Sequence, residues 1–146
     1  MAKISFNNSG INPNLKDKAI LKIFLESILE EEMVDFQKIS YIFCTDEYLH
    51  KLNLEYLHHD TLTDILTFTL SETSLPIISE IYISVERVRE NSRILKTNYE
   101  DEFHRVMIHG ILHLCDFSDH TPHLKEEMRN KENYYMNKYK SFSADK

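Results

Sequence analysis

Along this chain the spacing of apolar positions changes several times, and each change marks a new element. Ile4-Ser-Phe-Asn7 alternates as a short first strand does. Asn12-Pro13 then offers an N-cap followed by proline at the first helical position. From there to about Met33, residues Leu15, Ala19, Ile20, Ile23, Phe24, Ser27 and Ile28 follow the helical period and predict an amphipathic core helix. Residues 39–45, rich in β-branched and aromatic side chains, read as a strand, with Thr45 placed to cap a helix from Asp46 to about Leu54. Two more alternating strands are predicted at Asp64–Leu70 and Glu80–Ser84, joined by a polar connection over residues 71–79. Ser84 caps a helix to about Lys96, and Asn98 caps the next, whose first turn holds Glu100, Asp101 and Glu102 where the helix dipole favours acids. That helix is expected to stop near Asp116, because Asp tolerates the left-handed conformation. Thr121-Pro122 starts a last helix running to about Tyr139.

Strands and helices alternate without a strict βαβ rhythm. The expected fold class is therefore α+β, a single domain with a mixed sheet of about four strands packed by about five helices. A length of 146 residues suits one domain spanning 1–146, and two glycines and three prolines leave no long flexible linker. No apolar run approaches the ~20 residues of a membrane span, and the first residues lack a secretory signal pattern, so a cytoplasmic protein is expected. Cys44 and Cys115 are too few for a disulfide framework and read as small buried hydrophobes.

Charge narrows the function classes. A net charge of -7 argues against binding polyphosphate over the whole surface, so any nucleic-acid contact must be local. Glu30, Glu31 and Glu32 concentrate part of the acidity. Basic residues gather at Arg87, Arg89, Arg93 and Lys96, and again at Lys125, Arg129 and Lys131; Arg89, Arg93 and Lys96 share one stripe that reads as solvated helix surface.

Candidate chemistry lies in one segment. Of eight histidines five follow residue 103, and His109 and His113 stand four apart on the helix capped by Asn98, one turn apart on the same face. Val106, Met107, Ile108, Ile111, Leu112 and Leu114 make that helix apolar nearly all round, and buried imidazoles need partners. Asp119 and His120 follow just past its end, and either can fold back as a third donor. Two helical ligands and one loop ligand leave a coordination position open, as catalytic rather than structural zinc sites do. His104 points away from this face, and His123 after Pro122 reads as surface. Zinc peptidases carry a glutamate directly after their first helical histidine; Gly110 stands there, which disfavours that design and leaves other metal-assisted hydrolases open.

Four blocks in order resemble the YbeY family, metal-dependent endoribonucleases of bacterial ribosomal RNA maturation. His109-Gly-Ile-Leu-His113-Leu-Cys-Asp-Phe-Ser-Asp119 is similar to the family's His-Gly-x-Leu-His-Leu-x-Gly-Tyr-Asp-His, and residues 52–68 resemble its Leu-Asn to Thr-Asp-Val-Leu-Ser-Phe block. Glu80–Ser84 fits the strand that follows, and Met128 with Glu132 fits the Met-x-x-x-Glu of the last helix. The resemblance implies one zinc ion, or another divalent metal, with His109, His113 and Asp119 as the catalytic metal set. By spacing the family's third histidine falls on Asp119, with His120 as the alternative one residue later. It further implies cleavage of single-stranded RNA in 3′-end maturation of small-subunit ribosomal RNA and in ribosome quality control, with the small ribosomal subunit as partner. Leu57 stands where the family has a basic residue. That departure feeds a second expectation, a ribosome-associated assembly factor with a structural metal and no turnover.

Overall fold

The computed structural model describes residues 2–145. Nine elements follow in order: β1 (Lys3–Asn8), α1 (Lys18–Glu31), β2 (Phe36–Cys44), α2 (Asp46–Leu57), β3 (Ile65–Thr69), β4 (Ile77–Ser84), α3 (Val85–Leu95), α4 (Tyr99–Leu114) and α5 (Pro122–Ala144). The α+β class with a four-stranded mixed sheet and five helices is the one expected. Strand order is β1-β2-β4-β3; the first three run parallel, and β3 joins β4 antiparallel at the edge.

Alternation along the strands sends residues to two unlike faces. On one face Ile39, Tyr41, Phe43, Ile81 and Ile83 meet α1 and α4 in a continuous core that also takes in Phe24, Phe103, Met107 and Ile111, and reaches Tyr135 and Tyr139 of α5. The Tyr41 hydroxyl, fully buried there, donates to the Met107 carbonyl at 2.7 Å. On the other face α2 supplies a small cover, where Cys44, Leu49 and Leu66 are buried beside half-exposed Leu52, Phe68 and Tyr82.

The caps on four helices are those the sequence predicts. Thr45, Ser84, Asn98 and Thr121 each accept from the backbone N–H three residues on, that of Tyr48, Arg87, Asp101 and Leu124. The first helix differs. It starts at Lys18, not at Pro13, because Asn14 and Asp17 take left-handed conformations with φ of 57° and 52°. The Asn12 side chain accepts from Asn14 N–H instead of capping a helix. Residues 13–16 are strapped to the start of α4: the Tyr99 hydroxyl donates to the Pro13 carbonyl, the Lys16 N–H donates to Glu100, and Leu15 is buried. These tertiary contacts outweigh the local helix signal.

β4 also begins earlier than the polar composition of 71–79 predicts. The Ile77 N–H donates to Asp35, and Ile77 and Ile78 pair with Phe36 and Lys38 across a register shift. Helix α5 runs past Tyr139 to Ala144, since Phe142 still packs against the core.

Candidate metal centre

Helix α4 lies directly on the sheet because Gly110 faces it. A β-carbon there would come within 3.0 Å of Ile65 Cδ1 and 3.3 Å of Ile81 Cγ2, so the position that disfavours a peptidase has a packing reason to be glycine. His109 and His113 flank that contact. Past Leu114 the chain turns sharply: Asp116 is left-handed with φ 69°, and the Phe117 N–H donates to the Leu112 carbonyl. That turn brings residue 119 back over the helix.

Three donors meet there. Asp119 Oδ2 is 3.6 Å from His109 Nε2 and 3.8 Å from His113 Nε2, and the three ligand atoms lie within 4.8 Å of one another. Donors about 2.1 Å from a shared zinc in a tetrahedron would stand about 3.4 Å apart, so small adjustments fit this set to the metal. His120 is not in the cluster; it lines the neighbouring groove together with His113. Cys115 is likewise outside it, half-buried, and burial pushes its thiol up to about 12.

The other ring nitrogens are held from behind. His109 Nδ1 is 2.6 Å from Glu132 Oε2, and His113 Nδ1 is 3.0 Å from the Phe117 carbonyl. With Nδ1 as the N–H in each, both Nε2 lone pairs are presented to the shared point. A carboxylate or carbonyl behind the ring is the usual way a ligating histidine is oriented and made more basic. Glu132 reaches His109 from α5, 23 residues away in sequence, and its second oxygen accepts from Arg105 Nη1 at 2.9 Å.

Electrostatics distinguish the two imidazoles. Burial works against charge on His109, yet the bond to Glu132, with Asp119 and Asp64 behind it, outweighs burial and raises its pKa. Burial and the neighbouring charge of His109 lower that of His113. Glu132 is buried, which favours protonation, but its bonds to His109 and Arg105 prevail and hold it below the ordinary glutamate range. Loading a cation at His109 therefore displaces a proton, and uptake should weaken as pH falls.

Two cavities flank the donors. One of about 300 Å³ is lined by Asp64, Glu102, Arg105, His109, Asp119, Arg129 and Glu132 among others. A larger groove of about 840 Å³ runs along the edge strand β3 past Thr67 and Thr69 to His113 and His120. Ile65 lines both, so the donor cluster sits where they meet. Asp64, whose pKa burial raises, enters at the end of a loop fixed by buried Asn53, which donates to the Thr61 carbonyl.

A family model described as endoribonuclease YbeY matches residues 4–140. The chain belongs to that family. An endoribonuclease YbeY of Amoebophilus asiaticus is 41% identical over 135 residues, covering 92% of each chain. Another YbeY, from Christiangramia forsetii, is 51% identical over 111 residues, 75% of this chain and 76% of its own. The solution structure of TM1509 from Thermotoga maritima superposes with a TM-score of 0.66 at 30% identity, covering 93% of this chain and 88% of that one.

Within the family frame, the sequence alone pointed to the donors but not to what holds them. Arg105, Asp64 and the bracing role of Glu132 were missed. One signal for Glu132 exists: it shares the buried stripe of α5 with Met128, Tyr135 and Tyr139, and a carboxylate there needs a partner. Leu57 ends α2 half-exposed, with Leu54, Tyr56 and Leu62 exposed nearby. Arg89 lies over the Tyr99 ring and Arg93 pairs with Glu90, so the first basic stripe is occupied helix surface.

Proposed function

We propose that residues 1–146 act as one metal-dependent endoribonuclease domain that hydrolyses phosphodiester bonds in single-stranded RNA, with His109, His113 and Asp119 holding one zinc ion. The observation that carries this reading is the convergence of two braced imidazoles on the Asp119 carboxylate at the junction of two open cavities. Zinc bound there would polarise a phosphate oxygen and lower the pKa of water. His109 and His113 present Nε2 in fixed orientation, and Glu132 keeps the His109 proton on Nδ1. Asp119 supplies the one negative ligand, so the loaded site keeps a net positive charge toward a phosphodiester. The groove along β3 leads past Thr67 and Thr69 to His113 and offers an extended single strand a path to the donors.

The natural substrate on this reading is ribosomal RNA in the cytoplasm, cut during 3′-end maturation of the small subunit and in ribosome quality control. With a net charge of -7 the protein binds free RNA weakly, and the ribosomal particle supplies the remaining specificity. The test is incubation of zinc-loaded protein with small-subunit particles. RNA cleavage by the wild type, lost in His113→Ala and in Asp119→Ala, is the expected result. The exposed apolar end of α2 around Leu57 favours a second reading, an assembly factor with a structural metal. Particle binding that persists in His113→Ala, with no cleavage even by the wild type, would establish it instead.

A further inference from the structure

The second basic cluster of the sequence, Lys125, Arg129 and Lys131, divides in the fold. Lys131 pairs with Glu32 at 2.9 Å and lies over the rings of Phe117, Tyr134 and Tyr135. Arg129 instead faces the 300 Å³ cavity beside His109 and Asp119.

Among the charged residues of that cavity wall, acids outnumber bases. Asp64, Glu102, Asp119 and Glu132 line it, opposed by Arg105 and Arg129. Arg105 is committed: Nη1 donates to Glu132 at 2.9 Å and Nη2 to Asn133 at 2.8 Å, with a side chain only 22% exposed. Arg129 is 63% exposed, and its Nη1 stands 4.0 Å from Glu132 Oε1, within attraction but beyond hydrogen-bond range. Arg129 and Glu132 are three apart on α5. Glu132 reaches inward to His109, while Arg129 stays one turn away in solvent at the mouth.

We propose that Arg129 is a substrate-positioning residue, its guanidinium gripping a phosphate oxygen of the RNA backbone beside the metal centre. The inference rests on the endoribonuclease reading and adds the group that anchors the strand. A guanidinium presents two parallel donors to a phosphate, and this one can swing from its loose contact with Glu132 to meet it. With Asp119 on the metal and Glu132 held by His109 and Arg105, Arg129 is, among the described residues of this lining, the one cationic side chain not committed to a hydrogen bond and therefore free to meet a phosphate beside the metal.

The test uses zinc-loaded full chain and a labelled single-stranded oligoribonucleotide, with cleavage followed by gel and binding by anisotropy on its 2′-O-methyl analogue. Arg129→Gln should raise KM about tenfold, the loss of one exposed charge-assisted contact, with kcat changed less than about threefold. The slope of log affinity against log salt should fall by about 0.7, the loss of one phosphate contact on a single strand. Arg129→Lys should recover most of the KM. Zinc affinity should be the same in all three proteins, which separates substrate anchoring from support of Glu132. Unchanged KM and salt slope in Arg129→Gln, or a KM rise matched by loss of zinc affinity, overturns the inference. A wild type that binds this RNA without cutting it would sink the endoribonuclease reading alone, and the binding comparison would still decide the role of Arg129.

Discussion

Beneath α4 the sheet carries a core that runs unbroken from Ile4 to Tyr139, whereas beneath α2 it carries three buried apolar residues, Cys44, Leu49 and Leu66. Both faces grow from the same strands and the same alternation, so the difference comes from what is laid on them. The thick face carries the two candidate histidine donors on α4, and that helix is fixed by close contacts: Gly110 against Ile65 and Ile81, Tyr41 on Met107, Glu132 on His109. The thin face delivers only Asp64, through a loop held by Asn53. Packing and hydrogen bonding are thus concentrated around the helix that carries the candidate donors.

Matched truncations would sharpen this contrast. Phe103→Ala, which removes a ring packed against Phe43 and Tyr99, should cost about 4 kcal/mol in urea unfolding. Leu49→Ala on the thin face should cost about 2 kcal/mol, because so small a cluster collapses more readily. Equal losses would erase the distinction. Gly110→Val lifts α4 from β3 and β4 and should cost about 3 kcal/mol, with zinc affinity falling in the same variant; a stable, fully zinc-binding variant would show that the close approach is dispensable. Glu132→Gln should weaken zinc by about 10 to 100-fold, measured by competition with a chelating dye, while the fold persists.

The smallest effect concerns His104, on the side of α4 away from the donors. It is 7% exposed, and its Nε2 has no hydrogen-bond partner among the described residues. It stacks edge-on against Tyr139, with Glu100 at 3.6 Å and Asp101 nearby. Burial outweighs these acids and lowers its pKa. A histidine depressed in the folded state binds its proton more readily when unfolded, about pH 6.5. Its contribution is therefore complete above that pH and is lost as pH falls below it toward the folded value. The His104→Phe protein should show a flatter stability curve below about pH 6.5; an unchanged curve would assign the acid sensitivity elsewhere.

Much of the thick face could be read in the sequence, because its signals are local and agree with one another. Asn98 caps α4, its apolar residues follow one period, and His109 and His113 fall on one side of it. Asp119 needed more, since only the spacing of a family pattern singles it out from His120, and the deciding turn at Asp116 and Phe117 is a matter of backbone geometry. Glu132 and Arg105 act across two helices, and no local pattern records such a pairing. The start of α1 was misplaced for the same reason: Asn12-Pro13 is a sound local signal, overridden by Tyr99 and Glu100 from 86 and 84 residues away.

The bond between Glu132 and His109 also bears on how the protein comes into being. Of the described elements α5 is the last to leave the ribosome, and it carries the carboxylate that sets His109. A nascent chain that has already produced all three donors would still hold one of them unaligned. The final orientation of His109 would thus be set only once α5 has docked, after every residue of the donor cluster has already been synthesised.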